Sequence, residues 1–196
     1  MEVVCLDEQA TGNGYIEFTR DIAQKFNNDF KTNLFPLIKP LIFGEGTRVM
    51  SLRDGTKKMS KSDISEYSRI MLNDSPDQIS QKIKKAKTDP LPLPAYTKAI
   101  SKRPEAFNLL SIFAALESIS IEKATQQYEG KEFSIFKKDL ADLVVKKIQP
   151  IGKEINKLMN DQLYLDSIMT DGKNKAIVVA DSVLTKVYDI IGLKKY

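Results

Sequence analysis

Residues 48–63 have the sequence Arg-Val-Met-Ser-Leu-Arg-Asp-Gly-Thr-Lys-Lys-Met-Ser-Lys-Ser-Asp. The apolar run 49–52 predicts a buried strand, the last of a sheet. Asp54-Gly55 predicts a turn, because glycine tolerates a positive φ and aspartate caps its own backbone. Beyond the turn, residues 58–62 bring two ammonium groups and two hydroxyls together. A mobile loop with these groups is suited to holding a polyphosphate.

Most lysine- and serine-rich runs are only solvated surface loops, and short motifs often match by chance. The loop alone leaves both interpretations open.

The loop resembles the second signature of class I aminoacyl-tRNA synthetases, Lys-Met-Ser-Lys-Ser. Several separated, ordered segments extend the likeness to the bacterial-type tryptophanyl-tRNA synthetases over roughly residues 15 to 193. The matching segments are residues 17–23, 48–52, 56–63, 127–131, 136–137, 139–141 and 150–151. Such an ordered set is far more specific than any one motif.

The resemblance implies a ligase that activates tryptophan with ATP to tryptophanyl-adenylate and transfers it to tRNA(Trp) in translation. Lys58 and Lys61 would be catalytic, holding the ATP phosphates and the departing pyrophosphate. Backbone groups near Val49 and Met59 would meet adenine. The implied ATP-binding residues are Val49, Lys58, Met59, Ser60, Lys61 and Ser62. Mg²⁺ would be the second cofactor, held largely by phosphates and without a protein ligand.

The chain contains no histidine, whereas the first class I signature is His-Ile-Gly-His or a close variant. The resemblance therefore implies the C-terminal portion of such an enzyme, and we expect no tryptophan-dependent pyrophosphate exchange from this chain alone. In residues 1–14 the likeness fails, and we assign no ATP role to Asp7 or Gln9.

Two alternatives stay open. Tyrosyl-tRNA synthetases share the fold, although residues 58–62 and 127–131 favour the tryptophan enzymes. A non-catalytic tRNA-binding or dimer-interaction module derived from a synthetase belongs to a different class of function.

The pattern of elements predicts an α/β partial Rossmann-like unit in residues 1–72, followed by an all-α helical bundle domain in residues 73–196. The first unit would contain a helix over residues 15–28. The lysine loop would lie beyond the carboxyl end of strand 49–52, the sheet edge where ligands bind in open α/β folds. The helices predicted for the second domain begin at Pro76 and near Pro104 and span residues 120–128, 134–160 and 174–191. Apolar stripes predict that they bury, among others, Phe107, Ile177, Ala180, Leu184, Val187 and Ile191.

Basic residues and overall composition suggest partners. Residues 82–103 form a basic run in which Asp89 is the one acidic residue. Within it, Lys84, Lys85, Lys102 and Arg103 are candidate contacts to the tRNA backbone, and a solvated helix face is the alternative interpretation. The net charge is +4. No apolar run approaches the ~20 residues of a membrane span, and the single cysteine permits no internal disulfide. We expect a cytoplasmic protein that forms a homodimer or associates through its N-terminal unit.

Overall fold

The computed structural model describes residues 4–6, 15–41, 48–94 and 96–193. These ranges are mostly helical. Their elements are β1 (Val4–Leu6), α1 (Tyr15–Asp29), β2 (Lys39–Leu41), a 3-10 turn (Glu66–Ser68), α2 (Pro76–Lys84), α3 (Thr97–Ile100), α4 (Pro104–Glu117), α5 (Ile121–Gln127), α6 (Phe133–Met159) and α7 (Gln162–Ile191). The chain divides into two compact units, one of residues 1–43 and 158–196 and the other of residues 44–157.

The first unit contains a small parallel sheet. Strands β1 and β2 pair with Val4 opposite Lys39 and Leu6 opposite Leu41. The predicted helix after residue 15 is confirmed as α1. The rings of Phe26 and Phe35 pack edge to face with their centroids 5.0 Å apart. The residues Asp7 and Gln9, to which no ATP role was assigned, lie outside the described residues.

Helix α7 differs from its prediction at one end. It begins at Gln162 rather than near residue 174, because the Asp161 carboxylate caps it by accepting a hydrogen bond from the Tyr164 amide at 3.0 Å. It ends where expected, at Gly192 with φ +75°. The prediction that this helix buries an apolar stripe is wrong, since Ile177 is 43% exposed and Leu184 is 39% exposed. None of the residues of α7 is buried.

The second unit has a continuous core. Its largest buried side chains include Leu52, Ile79, Ile83, Leu109, Leu110, Phe113, Tyr128, Phe136 and Leu140. Helix α2 begins as predicted, with Pro76 in its first turn and a reciprocal capping box between Ser75 and Gln78. The helix predicted over residues 134–160 is confirmed as α6, which continues through Pro150. The helices predicted near Pro104 and over residues 120–128 are confirmed as α4 and α5.

In α4, Phe107 is placed differently from its prediction. Phe107 is 38% exposed, whereas the adjacent Asn108 is only 3% exposed. The apolar stripe of α4 runs through residues 106, 109, 110, 113 and 114, at the three- and four-residue spacing of one helix face. Asn108 lies beside that stripe and is buried because residues 50 and 51 pack onto it.

Candidate functional site

Residues 49–59 form a short antiparallel hairpin that carries the lysine loop. Met50 and Lys58 are directly opposite each other in an isolated bridge. The Ser51 amide donates to the Lys57 carbonyl at 2.8 Å, and the Met59 amide donates to the Val49 carbonyl at 3.0 Å. The predicted buried strand at residues 49–52 is therefore wrong, because among the described residues this segment forms only an isolated bridge with the loop that follows it.

The predicted turn at Asp54-Gly55 is confirmed. The Asp54 carboxylate accepts from the Thr56 hydroxyl at 2.6 Å and from the Thr56 amide at 3.0 Å. These hydrogen bonds, first the hydroxyl and then the amide, hold the pKa of the Asp54 carboxyl below its ordinary value. Lys57 forms an ion pair with Asp54 at 3.5 Å. The turn therefore stays closed by local polar contacts.

Gly55 seats this turn on the beginning of α4. A Cβ at this position would lie 2.5 Å from both the Glu105 amide nitrogen and the Pro104 carbonyl carbon. Both are backbone atoms, which cannot move aside as a flexible side chain would. The hairpin can approach α4 this closely only with glycine at residue 55.

We expect Gly55→Ala to destabilise the chain by about 1–3 kcal/mol, the usual cost of overpacking, and to weaken polyanion binding by the hairpin. Urea unfolding and pyrophosphate titration measure the two effects. Gly130→Ala is the control, since nothing lies within 4 Å of a Cβ there and its φ of +69° makes the substitution strained without contact. Equal loss of pyrophosphate binding in both variants would contradict a role for Gly55 in seating the hairpin.

Further contacts tie the hairpin to the helices of its own unit. The Leu52 amide donates to the Ser68 carbonyl at 2.9 Å, and the Leu52 carbonyl accepts from the Lys87 amide at 2.8 Å. The Arg53 guanidinium donates to the Lys85 carbonyl at 2.6 Å. Asn108 binds the backbone of Met50 from α4. The lysine loop thus extends from a frame with several anchors.

The functional groups of the loop point to solvent. Lys58 and Lys61 are exposed, and their ammonium groups form no ion pair or hydrogen bond with the part of the chain that the structure describes. The Ser60 and Ser62 hydroxyls are 2.9 Å apart, and the Ser62 amide donates to the Ser60 hydroxyl at 3.3 Å. Met59 is half-buried against the core. The arrangement presents two uncompensated cations beside two hydroxyls.

The predicted RNA-contacting residues have different surroundings. Lys84 and Lys102 are exposed. The Lys85 ammonium lies 4.3 Å from the centroid of the Tyr67 ring and donates to its hydroxyl at 3.1 Å. Arg103 faces inward, with its side chain only 16% exposed and 2.5 Å from Asp89. Its guanidinium also donates to the Leu91 and Pro92 carbonyls at 2.7 and 2.8 Å.

Three of the basic residues of this region have acidic partners. Burial acts to raise the pKa of Asp89, but the hydrogen bonds from Arg103 and from the Leu91 amide, together with the positive charge of Arg103, outweigh it and hold that pKa below its ordinary value. Lys87 pairs with Glu105 at 2.8 Å, and Lys82 pairs with Asp74 at 2.5 Å. The prediction that Asp89 alone compensates the positive charge of this region is wrong.

Sequence reasoning missed one residue that holds the hairpin. Asn108 lies in a helix 58 residues beyond Met50, and a single asparagine in a helical segment carries no local signal for such a contact. None of the described helices has the length and apolar character needed to cross a bilayer.

The same chain matches known proteins over most of its length. Residues 13–149 match the family described as tRNA synthetases class I (W and Y). Tryptophan–tRNA ligases of Mesorhizobium japonicum and Caulobacter vibrioides are 45% and 49% identical to it over 91% of the chain. The chain spans only 56% and 52% of the length of these two relatives.

Solved structures give the same relationship. Tryptophanyl-tRNA synthetase from Mycoplasma pneumoniae matches with a TM-score of 0.78 and 27% identity, over 91% of this chain and 53% of that one. The Campylobacter jejuni enzyme complexed with ADP and tryptophan matches with a TM-score of 0.65 and 26% identity, over 97% of this chain and 57% of that one. With the family model covering well over half of the sequence, the chain belongs to the class I tRNA synthetases of the tryptophan and tyrosine group.

Proposed function

We propose that this chain supplies the lysine hairpin and the helical part of a tryptophan–tRNA ligase. The reaction joins tryptophan to ATP as tryptophanyl-adenylate with release of pyrophosphate, and then transfers the aminoacyl group to tRNA(Trp). The observation that carries the proposal is the pair of exposed, uncompensated ammonium groups of Lys58 and Lys61 on an anchored hairpin. The printed names of the relatives favour tryptophan over tyrosine.

The hairpin would act on the polyphosphate. Lys58 and Lys61 would hold the ATP phosphates while negative charge shifts onto the departing pyrophosphate, so their contacts strengthen in the transition state. Since only one of the Ser60 and Ser62 hydroxyls donates across their 2.9 Å contact, the other keeps its proton for a phosphate oxygen. Backbone groups near Val49 and Met59 would contact adenine.

Mg²⁺ fits this arrangement as a partner of ATP. The described residues contain no cluster of three or more histidine, cysteine, aspartate or glutamate side chains. Mg²⁺ is commonly held through substrate phosphates and water with few protein ligands. Bound in that way it would neutralise phosphate charge, and the chain itself would contribute cations and hydroxyls.

The proposed organisation places a partial Rossmann-like catalytic part in residues 1–72 and a helical tRNA-binding part in residues 73–196. The parallel β1–β2 pair supports the first assignment, although the lysine hairpin packs in one compact unit with α2–α6. For the tRNA backbone, Lys84, Lys85 and Lys102 have accessible ammonium groups. Arg103 would instead stabilise the loop around Asp89. The proposal also includes a cytoplasmic location and either a homodimer or an association through the N-terminal part.

A chimera tests the proposal. Residues 15–193 of this chain would replace the matching part of the Caulobacter vibrioides relative, and ATP–pyrophosphate exchange would be measured with tryptophan and with tyrosine. We expect exchange that depends on tryptophan. A folded chimera that binds tryptophan and ATP but forms no adenylate would overturn the enzymatic assignment and favour a non-catalytic RNA-binding module.

A further inference from the structure

The amide side chain of Asn108 binds both backbone groups of Met50. Its Oδ1 accepts from the Met50 amide at 2.9 Å, and its Nδ2 donates to the Met50 carbonyl at 2.8 Å. A second, longer contact joins Nδ2 to the Ser51 carbonyl at 3.5 Å. Asn108 is 3% exposed. Since an unpaired buried amide is costly, this pairing fixes Met50 against α4.

The geometry of the hairpin explains why Met50 needs such a partner. The hydrogen bonds between the two arms of the hairpin come from Ser51 and Met59, the residues that follow Met50 and Lys58. Met50 and Lys58 are therefore a non-hydrogen-bonded antiparallel pair, in which the amide and carbonyl of each residue point away from the other arm. Asn108 occupies the outer edge of Met50 and binds it as a neighbouring strand would.

The position of Met50 determines the position of Lys58. Residues opposite each other in a non-hydrogen-bonded pair have Cα atoms only about 4.5 Å apart, so a displacement of Met50 displaces Lys58 with it. The other anchors of this arm, Leu52 and Gly55, lie nearer the turn. Asn108 thus anchors, through its side-chain hydrogen bonds, the residue directly opposite Lys58.

Apolar packing beside the loop is incomplete, so hydrogen bonds must fix the position of Met50. A cavity of about 180 Å³ lies next to Asn108 and is lined by Val49, Met59, Ile112 and Val144 among others. Side chains that border a void have fewer contacts to fix their position. Apolar contacts are not directional and so set no single register for the hairpin, whereas the two hydrogen bonds to Met50 do.

We propose that Asn108 is a positioning residue for the phosphate-binding lysines, acting through Met50 on Lys58. The inference rests on the proposed polyphosphate role of the hairpin. Asn108 touches no substrate in this mechanism, and its contribution is to hold Lys58 and the loop after it in one place before the polyphosphate arrives.

The test uses the full chain with inorganic pyrophosphate as the probe. Asn108→Ala should raise the dissociation constant about tenfold, as expected for the loss of two ordinary hydrogen bonds. Thr125→Val is the matched control, because Thr125 is also fully buried and donates one side-chain hydrogen bond to a backbone carbonyl, Ile121, at 2.7 Å. The pyrophosphate affinity of Thr125→Val should equal that of the unchanged chain at a temperature where both variants are folded.

A second variant separates positioning from stability. Asn108→Asp keeps the acceptor for the Met50 amide but places a carboxylate against the Met50 carbonyl. Its loss of affinity relative to the unchanged chain should shrink as the pH falls, because the protonated carboxyl recovers a donor. The comparison is made where both proteins are folded at every pH, so that a change in stability alone would leave the affinity ratio constant.

Amide hydrogen exchange gives a readout that does not depend on pyrophosphate. The Met59 amide, which bonds to the Val49 carbonyl across the hairpin, should lose about tenfold or more of its protection in Asn108→Ala and little in Thr125→Val. If the unchanged chain binds no pyrophosphate, the proposed function fails, and the exchange result still decides the positioning role. Unchanged Met59 protection would overturn the inference, as would equal pyrophosphate affinity in Asn108→Ala and the unchanged chain.

Discussion

Pyrophosphate binding by the chain is expected to weaken about tenfold when Lys61 is replaced by alanine, and by a similar factor for Lys58→Ala. The reason is the loss of one charge-assisted hydrogen bond, worth about 1.5 kcal/mol at the lower end of its range because the site is exposed to water. The double variant should lose about 100-fold, since the two ammonium groups bind different parts of the anion. Isothermal titration calorimetry at fixed ionic strength measures all three.

Lys57→Ala is the control for general attraction by positive charge. It removes the same unit charge from the same hairpin, but Lys57 is paired with Asp54 at 3.5 Å. Its effect should stay within about twofold, the range of a screened surface charge. Equal losses for Lys57→Ala and Lys61→Ala would show that the loop attracts anions only through its net charge.

The chimera extends this prediction to the reaction. Lys61→Ala there should lower the adenylation rate about 10²–10³-fold, the typical cost of removing one donor to developing charge, while the affinity for tryptophan hardly changes. Pre-steady-state adenylate formation measures the rate, and tryptophan titration measures the affinity. If ground-state ATP binding falls by the same factor as the rate, Lys61 contributes uniform binding and gives no preference for the transition state.

The chemistry of the hairpin could be predicted from sequence, but its partners could not. Asp54-Gly55 identifies the turn because turn formation is local, and the lysines and serines of the loop follow directly. The strand predicted at residues 49–52 failed because an apolar run does not say what pairs with it. Here one edge pairs with residues 57–59, and the outer edge is bound by the side chain of Asn108.

Helix ends followed the same rule. The capping box at Ser75 lies next to the start of α2, and Gly192 lies next to the end of α7. Because both signals are local, α2 begins and α7 ends as predicted. The start of α7 was missed because residues 162–173 precede the apolar stripe on which the prediction of a helix over residues 174–191 rests. In the structure the Asp161 cap is sufficient, and Gly172 lies inside the helix with open space around it.

Ion pairing shows most clearly what the sequence patterns could not predict. The basic run between residues 82 and 103 was predicted as a solvated face or an RNA contact. In the structure Lys82, Lys87 and Arg103 are paired with Asp74, Glu105 and Asp89. These partners are 8 to 18 residues away in sequence, beyond the three- or four-residue spacing that helix geometry makes predictable. Sequence patterns therefore overestimated the free positive charge.

The pair of Asp74 and Lys82 gives the largest expected change in stability. Their side chains are only 9% and 8% exposed and lie 2.5 Å apart. Lys82 lies on the buried side of α2 between Ile79 and Ile83, and the same Asp74 oxygen accepts from the Met71 amide at 2.8 Å. Asp74→Ala should therefore lower the free energy of unfolding by about 3–5 kcal/mol, because it leaves a buried ammonium without its counter-charge. Urea unfolding followed by circular dichroism measures the change.

Two further variants separate the buried charge from other causes. Glu154→Ala removes an exposed partner of Lys157, whose side chain is 75% exposed, and should cost less than about 1 kcal/mol. Asp74→Leu combined with Lys82→Met removes both charges and should recover most of the loss, since apolar residues of similar volume replace buried pairs at little cost. The Met71 amide loses its acceptor in Asp74→Ala and in the double variant alike. If the double variant is as unstable as Asp74→Ala, the loss of stability comes from that amide and from packing. If Asp74→Ala loses no more stability than Glu154→Ala, Lys82 reaches water without its partner.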